Sequence, residues 1–257
     1  MRFLFIFLLL CLQTPFVSAE VSSTLWNTEK TQHFIIYFQK ADTGFIRDLV
    51  YTAEKDYNDI VDGLGFRRMD FWSWDNRAKI YIYSDAQEYQ RETSREDWSR
   101  AVVFVHTRTI KSFMGQPGFF DSILPHEMTH IIFREFVGTK IALPLWIDEG
   151  VASSQEKSHL QGRLSFAKNL IEQGKYIDFD KFFQIYRLVD VQPQVFYSQS
   201  ASIIVFLLRR YGKDRFVEFS RKLRDGTPWD KALLSVYRFK DISQMEDAWK
   251  DFILRNF

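Results

Sequence analysis

His126-Glu127-Met128-Thr129-His130 is the stretch that decides how this chain is read. On a helix, residues four apart share one face, so the two imidazoles can meet one ion while Glu127, one step round, can reach water activated there. A second stretch sharpens the first. In Pro144-Leu-Trp-Ile-Asp-Glu-Gly-Val-Ala152, Glu149 follows His130 after 18 intervening residues, which lets a second helix return and offer a carboxylate. Three protein ligands, His126, His130 and Glu149, leave a fourth position for water, the open arrangement of a catalytic zinc ion rather than a closed structural one. Zinc, one ion, is inferred from the His₂Glu donor set, which other divalent ions also accept.

The motif helix is expected to begin near Asp121 or Ser122, either of which can act as N-cap, with Pro125 tolerated in its first turn and Gly138 as its stop. Pro144 then opens the next helix after a short connection, making the two helices antiparallel neighbours. Upstream, His33 to Phe38 reads as a strand, and Ile46, Leu49, Val50, Ala53, Tyr57, Ile60, Val61 and Leu64 recur at helical spacing, with Gly63 and Gly65 at that helix's end. Ala78 to Tyr83 alternates as a strand, and Ser84-Asp85 can cap a short helix over Ala86 to Glu92. Ala101 to His106 and Thr109 to Phe113 read as a strand pair. From Leu160 onward the pattern is helical, with stops at Gly174, Gly212 and Gly226.

Taken with the 18-residue gap and Trp146-Ile-Asp-Glu149-Gly-Val-Ala152, the chain resembles the gluzincin zinc metallopeptidases of the peptidase MA-like superfamily, related to thermolysin and aminopeptidase N. The Trp-x-x-Glu-Gly-x-Ala run is similar to that of the aminopeptidase N branch. His33 to Phe38 and Tyr197 to Gly212 resemble the first strand and the later helix of small bacterial secreted members, so the likeness covers about residues 30 to 257. The resemblance implies an α+β, zincin-like fold: an N-terminal mixed sheet with helices, the HExxH helix at a cleft, and an all-helical C-terminal lobe. It also implies that an edge strand lies along the cleft and pairs with extended substrate, for which Val102 to Lys111 is the candidate.

Roles follow from the same likeness and the chemistry. Glu127 is the general base, taking a proton from the attacking water and delivering it to the leaving amine. By resemblance Tyr197 is the hydroxyl that stabilises the oxyanion, with Tyr186 as the fallback. Many gluzincins carry an acidic residue four positions after the third ligand to support a histidine; here that position is Ser153, leaving Asp148, Ser153 and backbone carbonyls as alternatives. His33, His106 and His159 are read as structural or solvated.

Met1-Arg-Phe-Leu-Phe-Ile-Phe-Leu-Leu-Leu-Cys-Leu12 supplies one positive charge and an apolar run too short to span a bilayer, followed by Pro15 and Val17-Ser18-Ala19. Residues 1–19 are therefore expected to be a cleaved secretory signal peptide, an uncleaved anchor being the alternative. The protein is then secreted or periplasmic, without stable membrane insertion after cleavage. Residues 20 to 31 read as a polar leader. Cys11 is the single cysteine, so the processed chain would have no disulfide and must rely on its core. Loss of Arg2 leaves 33 basic side chains against 33 acidic ones, a balance that argues against a nucleic-acid partner. No repeat or linker interrupts 20–257, which is read as a single domain with an α/β lobe over about 30–157 and a helical lobe over about 158–257.

The expected activity is a zinc-dependent metallopeptidase acting on a peptide or protein substrate. The amine-gripping Gly-x-Met-Glu-Asn strand of the aminopeptidase N branch has no counterpart before His126, which favours an endopeptidase or processing protease of the cell envelope. A zinc hydrolase of a non-peptide bond and a non-catalytic metal-binding interaction module are the alternatives. Glu127 and the open fourth position weigh against the last. The sequence does not specify oligomeric state.

Overall fold

The computed structural model describes residues 26–66, 72–96 and 99–257; the signal peptide expected over 1–19 lies outside the described residues. The sheet is mixed and five-stranded, in the order β1-β2-β3-β5-β4. Its members are β1 (Asn27–Lys30), β2 (Phe34–Phe38), β3 (Ala78–Tyr83), β4 (Ala101–Phe104) and β5 (Thr109–Phe113). β2, β3 and β5 run parallel, while β1 and β4 close the two edges antiparallel. β1 corrects the sequence reading, which left Asn27 to Lys30 in a polar leader. All four of its residues are exposed and without periodic apolar signal; pairing with β2 alone makes them a strand.

Side chains alternate across the sheet, so Ile36, Ile80 and Ile110 turn to one face and Lys79, Tyr81, Thr109 and Lys111 to the other. The isoleucine face is covered by α1 (Thr43–Leu64) and α3 (Leu124–Val137). Asp42 caps α1 by accepting from the Phe45 amide at 3.1 Å, and Gly65 ends it in the left-handed conformation, φ 83°. α2 (Ala86–Thr93), capped by Asp85, drops the buried Tyr89 onto the opposite face beside Tyr83 and Val102.

The start of α3 departs from expectation. A π-helical turn over Phe119–Ile123, entered at Gly118 with φ 73°, leads directly into it, and neither Asp121 nor Ser122 caps the helix. The Ser122 hydroxyl instead meets His159 Nδ1 at 2.9 Å. Beyond Gly138, α4 (Leu145–Ser153) opens after Pro144 as expected. Then come α5 (Leu160–Glu172), α6 (Phe179–Phe182), α7 (Pro193–Tyr211), α8 (Lys213–Arg224), α9 (Trp229–Tyr237) and α10 (Ile242–Asn256). The α+β class, with sheet and helices preceding an all-helical remainder, matches the sequence reading. One hydrophobic core runs from Phe34 on the sheet through α3 to Ile253 of α10. A helix buried on nearly all sides, as α3 is, gains its stability from packing rather than from propensity.

Gly150 explains how closely α4 lies on α7. A Cβ there would stand 2.8 Å from the Ser200 carbonyl oxygen and 3.0 Å from Ile204 Cγ1, so only glycine permits this crossing. Ser200, small and buried on α7, leaves its carbonyl open to this approach. This crossing fixes Glu149, the residue before Gly150, relative to Tyr197, one turn ahead of Ser200.

Candidate metal centre

α3 presents His126 and His130 on successive turns, and α4 brings Glu149 opposite them. The two Nε2 atoms are 3.2 Å apart, and Glu149 Oε2 stands 3.5 Å from that of His126 and 3.8 Å from that of His130. One donor atom from each of the three residues falls within 4.8 Å of the others, a spacing at which they can share an ion. Glu149 Oε2 is buried and makes no hydrogen bond. A buried carboxylate oxygen in that condition is costly unless a cation meets it, and two imidazoles with a carboxylate suit zinc.

The outward nitrogens are held separately. His126 Nδ1 is 2.8 Å from Glu156 Oε1, and His130 Nδ1 is 3.4 Å from Asp148 Oδ1. A carboxylate on Nδ1 fixes the tautomer that leaves Nε2 free to ligate. Asp148 is gripped in turn by Arg134, whose Nη2 donates to it at 2.7 Å while Nη1 donates to the Ile141 carbonyl. Burial works against ionisation of Asp148, yet His130 and Arg134 outweigh it and hold the carboxyl well below its usual range. Glu156, only 3% exposed, receives Arg163 in a forked pair at 2.7 and 3.0 Å; burial is again outweighed, by His126 and Arg163, and its carboxyl is lowered. Burial disfavours a charge on His126 too, but Glu149, Glu156 and Glu127 prevail and push its pKa up to about 10. The pocket is thus built to hold positive charge.

Glu156 and Arg163 were not found from the sequence. Ser153, at the position where many gluzincins carry the supporting acid, is buried with its hydroxyl unpartnered, and the support comes three residues later. The available signal was the run Glu156-Lys-Ser-His159 ending at Arg163, which reads as a solvated polar stretch until the chain folds it back under His126.

Tyr197, near the start of α7, borders the same cleft as His126, Glu127, Glu156 and Arg163, a cavity of about 290 Å³. Its ring lies edge-on to that of His126, with centroids 6.4 Å apart, and the Arg163 guanidinium sits 5.3 Å from its centroid. Burial, with Glu149 adding to it, raises the phenol far above its ordinary value, so it stays a proton donor. The fallback, Tyr186, is 75% exposed and does not line this cleft. Ala101, first residue of the edge strand β4, does line it.

A family profile described as the Peptidase MA superfamily matches residues 73–255, spanning β3, the two histidines, Glu149 and the helices through α10. The chain belongs to the peptidase MA superfamily. Among curated proteins no sequence matches it. Membership in this superfamily accounts for the mixed sheet laid over the HExxH helix and for the helical remainder. Among the described residues no helix is long and apolar enough to cross a membrane.

Proposed function

We propose that this chain is a zinc-dependent peptidase in which His126, His130 and Glu149 hold one zinc ion. The observation that carries this reading is the convergence of three donor atoms around a buried, unbonded Glu149 Oε2, with both histidine Nδ1 atoms already committed to carboxylates. When bound, the ion supplies a Lewis acid that acidifies water and polarises a substrate carbonyl.

The chain's own groups do the rest. Glu127, in the first turn of α3 and bordering the cleft, takes the proton of the attacking water and passes it to the departing amine. The Tyr197 hydroxyl, kept protonated by its surroundings, donates to the oxygen on which negative charge develops. β4 offers a free sheet edge ending at the cleft, along which an extended peptide can pair. The absence of an amine-gripping strand supports internal cleavage or processing, and the leader of residues 1–19 supports action in the cell envelope of one exported domain over 20–257.

The test is metal analysis of the purified protein together with digestion of a broad peptide library, run beside Glu127→Ala. One zinc per chain and cleavage that vanishes in the variant is the expected result. Equal cleavage by both proteins would remove Glu127 as base, and metal binding with no peptide cleaved would turn attention to a non-peptide bond.

A further inference from the structure

The face of the sheet turned away from α3 carries a second groove that the peptidase chemistry does not use. Its volume is about 490 Å³. The floor is built by register: Lys79 pairs with Thr109 and Tyr81 with Lys111 across β3 and β5, placing both lysines and both partners on the same outer surface. Trp26, edge-on to Tyr81 and Tyr83 at 5.2 Å, borders one side, and Phe104 of β4, 41% exposed, borders the other.

Two observations point to a ligand. Neither lysine makes an ion pair among the described residues; Lys111 Nζ lies over two rings, 5.7 Å from the centroid of Tyr81 and 5.6 Å from that of Phe104. Gln39, also lining the groove, is only 6% exposed; its Oε1 accepts from the Ser84 amide and hydroxyl, and its buried Nε2 has no partner. An orphaned buried donor is normally satisfied by something. Two ammonium groups without ion-pair partners call for an anionic oxygen-rich ligand, while Glu92 on the rim calls for ligand hydroxyl or amide donors. Aromatic rings flanking these polar groups favour a ligand with an apolar C–H face. A sugar ring bearing a carboxylate has all three properties, and the volume suits one or two such rings.

We propose that this groove is a binding site for a short acidic saccharide, separated from the metal centre by the thickness of the sheet. The test titrates the full chain with the disaccharide of glucuronic acid and N-acetylglucosamine, followed by calorimetry and NMR. Neutral di-N-acetylglucosamine, inorganic phosphate and the dipeptide Gly-Glu serve as comparison probes. Saturable binding with a dissociation constant on the order of 1 mM or tighter is expected, persisting after the metal is removed with a chelator. Lys111→Gln and Lys79→Gln should each weaken it at least about fivefold, Phe104→Ala by a similar factor, and Lys111→Arg should largely restore it. No binding of the acidic disaccharide by folded protein, equal binding of the neutral one, or lysine-dependent binding of phosphate or Gly-Glu in its place would each overturn the proposal.

Discussion

The first two turns of α3 and the segment from α4 into α5 both supply residues to the candidate metal centre but do so in opposite ways. α3 delivers His126, Glu127 and His130 within five residues, so backbone periodicity alone brings them together. The other segment delivers Asp148 and Glu149 from α4, Glu156 from the turn after it and Arg163 from α5, and only the path of the chain brings all four to the histidines. The histidines turn Nε2 toward Glu149, where an ion could bind, and Nδ1 toward Glu156 and Asp148. The two histidine donors are thus placed by local periodicity, whereas the third donor and the carboxylates that orient the imidazoles are placed by the tertiary fold.

Substitutions on each side test this division separately. The largest effect is expected at Glu127: Glu127→Ala should lower kcat/KM on a cleaved peptide by on the order of 10⁴-fold while zinc content stays at the parent level. Loss of zinc in that variant would show that α3 is not acting as a set of independent groups. Next is Tyr197→Phe, expected to reduce kcat by about 10²-fold with KM nearly unchanged, because the hydroxyl acts on charge that appears only in the transition state. A rise in KM with constant kcat would place the phenol in ground-state binding instead.

Glu156→Gln comes third. It keeps the side chain's shape but removes the charge facing His126 Nδ1 and Arg163, so zinc affinity, measured by competition with a chelator, should fall roughly 10- to 100-fold. Unchanged affinity would mean that α3 orients its own histidines. The smallest effect on chemistry is expected from Gly150→Ala, whose new methyl would press on the Ser200 carbonyl. Overpacking of this kind costs about 1–3 kcal/mol, read from denaturant unfolding, with loss of zinc affinity only as far as Glu149 is displaced.

Much of the fold was legible because its signals are short-range. Ala78 to Tyr83 alternates with period two and is β3 to the residue; Gly138 and Pro144 end and open α3 and α4 where expected. The misses share a cause. Asn27 to Lys30 forms β1 only because β2 is beside it, and α3 is entered through a π-helical turn at Gly118, so no capping side chain marks its start. Ser153 occupies the place where resemblance sought an acid, and Glu156, three residues on and beyond the end of α4, meets His126 instead, a displacement that spacing rules tuned to regular helices do not register.

The amino-acid sequence alone set the chemistry of the candidate donor set, since two imidazoles four residues apart and a glutamate 19 residues beyond the second need only a pair of neighbouring helices to converge. It also determined the sheet's alternation, because period two is written in the side chains. Long-range packing settled which carboxylates hold the outward nitrogens, which of Tyr197 and Tyr186 borders the cleft at His126, and that Lys79, Lys111 and Gln39 meet at one groove. Those outcomes depend on contacts between residues tens of positions apart, whose approach is set by core packing and strand register rather than by any local preference.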